Sequence, residues 1–324
     1  MHACTQAFRS NSAGVLGLAR RLYSSGKAKR RERHPFVHIP LETGMMMQNN
    51  MEFVYGIQPV LAALSQGTRP AYGLYVQDQI EGDMPAPERA RAIQLATAYD
   101  IPIKHVRREL LDRMSFNNHH QGISLKVDRV ENRVGKKLGP FKDGTYWVEI
   151  GMMRTQMTAR RPYPLWVLVD RIQDPRNLGS IIRSAVFFGA EGIVAPRRDT
   201  CAPNAVVAKA SAGALEVSNF MRCKDIDKFV EHSRSNGWLV VSASVADPGT
   251  GVKATVDDLG EIDRPVLLVL GNEGQGVRES VLIQSDVHLS IPMRAELPEY
   301  FDSLNVGVAA GVILSSLRFK GEST

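Results

Sequence analysis

The second half of the chain is built from short, almost wholly apolar runs: LWVLVD at 165–170, EGIVAP at 191–196, WLVVSAS at 238–244, PVLLVLG at 265–271 and VHLSIPM at 287–293. Between and after them lie stretches with helical character, SIIRSAVFFG, NAVVAKASAGAL, DIDKFVEHSRSN, GVRESVLIQS and SLNVGVAAGVILSSLRF. A strand that is apolar on both sides has to be covered on both faces, and strands that alternate with helices pair in parallel. Residues 165–320 therefore predict a parallel α/β unit. Ligands on such sheets bind beyond the C-terminal ends of the strands, so the loops leaving those ends are the place to look for chemistry.

Residues 53–127 read as a smaller α/β unit. FVYG leads into IQPVLAALSQG, with Val60, Leu61 and Leu64 at helical spacing. AYGLYVQ, IPIKHV and HHQGISLKV read as strands, PERARAIQLATAYD and ELLDRMS as helices. Residues 128–164 are polar and carry Gly135, Gly139, Pro140 and Gly144, the composition of a linker with an insertion.

The net charge of +6 belongs to the leader. Residues 1–34 hold eight Lys/Arg and one acid, while the rest of the chain has 32 basic and 33 acidic residues. Rich in Arg, Ser and Ala and without an acid before Glu32, residues 1–34 have the make-up of a mitochondrial presequence followed by a basic tail. Arg21-Leu22-Tyr23 before Ser24-Ser25 looks like a matrix-peptidase site; a basic tail or nuclear signal built on KAKRRER is the other reading. The expected address is the mitochondrial matrix. Cys4, Cys201 and Cys223 have neither CxxC nor Cys/His spacing, so no metal site or disulfide framework is expected. No run of 18 apolar residues predicts membrane insertion.

Three strand-exit loops have unusual chemistry. In DPRNLGSIIR, Pro175 fixes a turn, Gly179 permits an awkward backbone angle and Asn177 bends the chain or presents an amide. Arg183 follows on the helix; taken alone, it reads more readily as an arginine reaching the surface past Ile181 and Ile182. LGNEGQGV at 270–277 allows a ligand close to the backbone, with Glu273 at the strand exit, or is a plain turn before a helix. Neither GxGxxG nor GxxxxGK[ST] occurs, which removes the defining geometry of a dinucleotide or nucleoside-triphosphate loop. In IPMRAELPEYFDSLNVGVAAG, Asp302 or Ser303 can cap the last helix, and Ser303 and Asn305 can be caps and nothing more. Gly307, Ala309, Ala310 and Gly311 suit a tight helix contact or a dimer face.

In order, DPRNLGSIIRSA, LVLGNEGQGV and IPM…SLNVGVAAG resemble the three signatures of the SpoU class of RNA ribose 2′-O-methyltransferases in the SPOUT superfamily. KASAGALE at 209–216 is similar to a segment between the first two signatures. Residues 53–127 look like the small RNA-substrate-binding domain that precedes many members. With the leader, the likeness is to mitochondrial large-subunit rRNA methyltransferases.

The resemblance implies a trefoil-knotted methyltransferase domain, a homodimer and S-adenosylmethionine as methyl donor, without a metal. It implies donor contacts at Gly271, Ile291 and Leu304, with Asn272, Met293 and Ser244 beside them, and active-site positions at Asn177, Arg183, Glu273, Ser303 and Asn305. The implied reaction is methylation of a ribose 2′-hydroxyl, on a guanosine of mitochondrial large-subunit rRNA or its assembly intermediate. The alternative is a catalytically silent RNA-binding assembly factor of the same fold, against which the retention of all five active-site positions speaks. Tyr55, Arg69, Tyr72, His119 and His120 are candidates for reading RNA. Arg176 stands where a small residue is common, Gly307 replaces the usual serine, and the IPM-to-SLN connection is longer than usual.

Overall fold

The computed structural model describes residues 50–78, 87–244, 249–272, 274–293 and 303–321. The leader, Glu273 and Asp302 lie outside the described residues. The chain divides after Arg129 into two compact units.

The first unit runs β1 (Met51–Tyr55), α1 (Ile57–Gln66), β2 (Ala71–Gln77), α2 (Pro87–Ala98), β3 (Ile103–Val106), α3 (Arg108–Met114) and β4 (Ile123–Asp128). Its sheet has the order β1-β4-β2-β3, with β2 and β3 parallel and the other pairs antiparallel. The helical spacing read in α1 buries Pro59, Val60, Ala63 and Leu64, while Leu61 lies only half inside. Three of the RNA-reading candidates are interior. Tyr55 is buried, Arg69 donates to Glu52 at 2.6 Å and to the Asp128 carbonyl at 3.1 Å, and His120 lies against Asp112. Tyr72 and His119 remain exposed.

The second unit is one ten-stranded sheet with helices packed on it. Its elements are β5 (Val134–Leu138), β6 (Thr145–Ile150), β7 (Met153–Thr158), β8 (Leu165–Val169), α4 (Pro175–Phe187), β9 (Gly192–Pro196), α5 (Ala205–Ala210), α6 (Ala214–Val217) and β10 (Phe220–Cys223). There follow α7 (Ile226–Ser235), β11 (Leu239–Ala243), β12 (Val252–Thr255), β13 (Val266–Leu270), α8 (Glu279–Leu282), β14 (Val287–Ser290) and α9 (Val306–Ser316). The order is β12-β14-β11-β13-β8-β9-β10-β5-β6-β7, parallel from β12 to β5 and antiparallel through β5-β6-β7. The five apolar runs are the strands β8, β9, β11, β13 and β14, and β8, β9 and β13 are buried throughout. Among the described residues no helix is long and apolar enough to cross a membrane.

The stretch 128–164, expected as a linker with an insertion, carries three strands, β5, β6 and β7. Leu138, Tyr146 and Val148 alternate inward and join Trp166, Leu168, Trp238 and Val269 in one core. The Trp238 indole N–H donates to the Gly139 carbonyl at 2.8 Å, and the Trp166 indole N–H to the Tyr146 hydroxyl at 2.9 Å. Two helical readings also change. NAVVAKASAGAL is broken into α5 and α6, with Ala212 and Gly213 at positive φ between them, and GVRESVLIQS yields only the short α8.

Tyr146→Phe leaves the buried Trp166 N–H without its acceptor and is expected to cost about 1–3 kcal/mol in denaturant unfolding. A loss near zero, with Trp166→Phe no more costly alone than in the Tyr146→Phe background, would show that this bond does not tie the 134–158 strands to the core. In the first unit, burial pushes the His120 imidazole below its ordinary 6.5, against the lesser upward pull of Asp112. Its Nδ1 accepts from the Gly122 N–H at 2.9 Å, so its Nε2 donates to Asp112 at 3.0 Å. The folded state takes up this proton less readily than the unfolded one. Stability is therefore complete above the unfolded value and falls as pH drops through 6.5 toward the lowered folded value. Unfolding followed from about pH 7.5 to 5 should show this loss, and His120→Gln should flatten it.

Candidate active site

The C-terminal ends of adjacent parallel strands bring the expected positions together. β13 lies between β11 and β8, and β14 flanks β11 on the far side. Ile291, Ser244, Gly271 and Asp170 therefore follow the ends of β14, β11, β13 and β8 along one edge, at steps of about 4.8 Å. The Ser244 N–H continues the ladder by donating to the Leu289 carbonyl at 3.0 Å.

The β13 exit folds back on itself. A Cβ at Gly271 would overlap the backbone of Gly276 and Val277, so no other residue fits there without moving the loop. Asn272 exchanges backbone hydrogen bonds with Gly276, at 3.2 and 2.8 Å. Its side-chain oxygen accepts from the Gly274 and Gln275 N–H groups at 2.8 and 3.3 Å, and its amide donates to the Arg171 carbonyl at 3.2 Å. The Asn272 side chain is thus committed to ordering its own loop.

Beneath this loop sits a pair that the sequence reading missed. Asp170 is wholly buried at the end of β8. It accepts from the Arg278 guanidinium at 2.6 and 3.0 Å on Oδ1 and 3.1 Å on Oδ2, and from the Arg278 backbone N–H at 2.9 Å. Hydrogen bonding to Asp170 raises the Arg278 pKa. Arg171, at φ 59°, reaches across to Gln275 at 2.8 Å. The available signal was an acid closing an otherwise apolar strand, where a buried carboxylate demands a partner.

The first loop is helix earlier than expected. Asp174 caps α4 by accepting from the Arg176 N–H at 2.8 Å, and Pro175 opens the helix, so Asn177 stands in its first turn. Gly179 is helical; its missing side chain makes room for Ala210, 2.5 Å from where its Cβ would lie. Arg183 is exposed and engages no described residue by hydrogen bond or ion pair. Arg176 is also exposed, and seven residues of helix place it on the same face, about 10 Å from Arg183 along the axis.

In the third loop the cap of α9 is Asn305, neither Asp302 nor Ser303. Its Oδ1 accepts from the Gly307 N–H at 2.9 Å, and its Nδ2 donates to Asn177 Oδ1 at 3.0 Å. Two expected active-site residues, 128 positions apart, thus touch and tie the starts of α4 and α9. Behind them a Cβ on Gly307 would lie 2.6 Å from Ser180 Oγ, which accounts for glycine where the resemblance led us to expect serine. Ser303, Leu304 and Met293 are exposed. Small or apolar residues at three strand ends, with apolar Leu304 and Met293 at the surface, fit a donor held mainly by backbone groups. Among the described residues no group of three His, Cys, Asp or Glu side chains is placed to hold a metal ion.

Residues 164–315 match the SpoU rRNA Methylase family, and residues 53–133 match the family of RNA 2′-O ribose methyltransferase substrate-binding domains. The human protein named rRNA methyltransferase 1, mitochondrial, is 34% identical over 276 residues, covering 83% of this chain and 73% of the relative. Its namesake from Schizosaccharomyces pombe is 34% identical over 287 residues, covering 84% and 91%. Among solved structures, the AdoMet-bound rRNA methyltransferase of Sinorhizobium meliloti superposes with a TM-score of 0.60 at 21% identity, over 82% of this chain and 86% of that one. The SpoU methyltransferase AviRb of Streptomyces viridochromogenes, in complex with AdoMet, gives 0.58 at 23% identity, over 82% and 89%. At these identities the two structures speak for the fold alone. The chain belongs to the SpoU rRNA methylase family and is an RNA methyltransferase.

Proposed function

We propose that the chain methylates a ribose 2′-hydroxyl, on a guanosine of mitochondrial large-subunit rRNA, using S-adenosylmethionine, and does so as a homodimer in the mitochondrial matrix. The observation that carries the reading is the Asn177–Asn305 hydrogen bond, which fixes two strand-exit loops against each other, with exposed Arg183 six residues further along the same helix. The address is supported by the leader and by the names of the human and fission-yeast relatives. A dimer is supported by Phe187 and Val308, large apolar side chains left 72% and 53% exposed on α4 and α9. The trefoil knot belongs to the same proposal, supported by the entry of β13 between β8 and β11.

When bound, S-adenosylmethionine supplies a methyl group already activated on a sulfonium. Gly271, Ile291 and Leu304 hold it, with Ser244, Asn272 and Met293 around them; Asn272 contributes through its backbone. A ribose 2′-hydroxyl is a weak nucleophile, so the protein's contribution is placement, worth roughly 7–11 kcal/mol when reacting groups are held in line. Arg183 binds the phosphate beside the target ribose and stabilises charge growing on its oxygen. It does so as a cation, since a guanidinium keeps its proton. Arg176, on the same helix face, takes a neighbouring phosphate. Asn177 and Glu273 order the ribose side of the site, and Ser303 and Asn305 hold the third loop.

With radiolabelled S-adenosylmethionine and mitochondrial large-subunit rRNA, label should appear on one ribose 2′-oxygen. Arg183→Ala should lower turnover by about 100-fold or more, the scale of losing one charge-stabilising donor. Arg183→Lys keeps the charge without the planar fork and should remain far below wild type; full activity would exclude a specific guanidinium role. Asn305→Ser separates capping from bridging, because serine caps a helix about as well as asparagine but is too short to reach Asn177. Unfolding should be nearly unchanged while turnover falls by up to about 100-fold, as for a misplacement of about 1 Å. Equal turnover would show the bridge to be dispensable.

A further inference from the structure

The two family matches leave residues 134–163 unassigned, and these form the antiparallel β5-β6-β7 extension. One face of it packs into the core through Leu138, Tyr146 and Val148. The other face carries Lys137, Trp147, Glu149, Arg154 and Gln156, brought side by side by the register Lys137↔Glu149↔Arg154 and Trp147↔Gln156. A register shift between Gly135 and Lys137 sets Lys136 on this face as well. Both lysines reach the same carboxylate, Glu149, at 3.2 and 3.9 Å. The Trp147 ring rests on the backbone at Gly139, and the Arg154 guanidinium lies 4.4 Å from the ring centroid, with Lys137 at 5.6 Å. Arg154 is exposed and engages no described residue by hydrogen bond or ion pair.

We propose that this face is a second RNA-contact surface, which grips the phosphates of a substrate strand outside the reacting nucleotide. The inference rests on the reading of the chain as an RNA methyltransferase. Two lysines crowd one carboxylate and Arg154 adds a third cation to the same face, an excess of positive charge that an anion relieves. The indole holds the guanidinium plane in place while leaving its N–H groups for a phosphate oxygen, so little side-chain freedom is lost on binding. The face is a site distinct from the strand-exit loops. β6 lies four strands from β8, about 20 Å across the sheet. The chain outside residues 1–34 has almost no net charge, so RNA affinity of the body has to come from local clusters such as this one.

The test compares the full chain with the triple variant Lys136→Ala/Lys137→Ala/Arg154→Ala and with a control triple, Lys224→Ala/Lys228→Ala/Lys320→Ala, at three exposed lysines elsewhere. Binding to transcribed mitochondrial large-subunit rRNA is titrated between about 50 and 200 mM salt, alongside methyl transfer and thermal unfolding. Three lost phosphate contacts predict that this salt step weakens wild type roughly 20-fold more than the triple variant. The control should keep the wild-type slope, and the triple variant should show a raised KM with kcat retained. An unchanged slope, or the same loss in the control, overturns the proposal. If RNA affinity is unchanged but self-association is lost on replacing exposed Met153, the extension serves protein pairing instead. Wild-type RNA binding with the predicted slopes but no methyl transfer would sink the functional reading and leave the surface standing.

Discussion

The pair of buried Asp170 and half-buried Arg278 holds the strand-exit edge together. A carboxylate with no solvent exposure is tolerable only when its charge and lone pairs are met, and Arg278 meets them with side chain and backbone at once. The end of β8 and the segment entering α8 thereby become one body. Asn272 and Gln275, both bound to Arg171, extend that body across the glycine loop. Removing Arg278 leaves the buried Asp170 charge unmatched, commonly a loss of about 3–5 kcal/mol. Everything proposed for the site presupposes that these loops are already set before a ligand arrives.

The legible parts of the fold are those in which one physical signal dominates. β8, β9 and β13 are apolar on both sides because helices cover both faces, and they were read directly. β10 was not, because FMRC places an arginine inside. Arg222 is buried yet satisfied by the carbonyls of Cys201 and Thr200, at 2.9 and 3.2 Å, and no local pattern announces that arrangement. The 134–158 strands escaped because only alternate residues face the core and their other face is polar, which dilutes the apolar content to that of a loop.

The site divides in the same way. Asn177, Arg183 and Asn305 were singled out through resemblance to a family whose signatures keep their order. Their relation was not: a 3.0 Å contact between residues 128 apart depends on where α9 returns to the sheet. Asn272 shows the converse. The residue was identified, yet its side chain turned out to bind its own loop, because a tight turn of small residues needs an acceptor for its exposed N–H groups. Gly307 likewise stops being an anomaly once Ser180 is seen opposite it. The two positions form a matched pair in which one residue supplies the volume that the other gives up.

The place of β13 has a consequence for the order of assembly. It is flanked by β8 and β11, both of which precede it in the chain, and β14, the other neighbour of β11, follows later still. A ribosome delivers β8 about 100 residues before β13, an interval of roughly 5–20 s at ordinary synthesis rates. Throughout that interval the β8 edge that will receive β13 has no partner in the sheet, and β11, once made, has neither β13 nor β14 beside it. Both strands are rich in branched apolar residues, the kind of edge that recruits wrong partners. The sheet cannot grow outward from its first strand; it has to stay open at its middle until residues 266–270 arrive to close it.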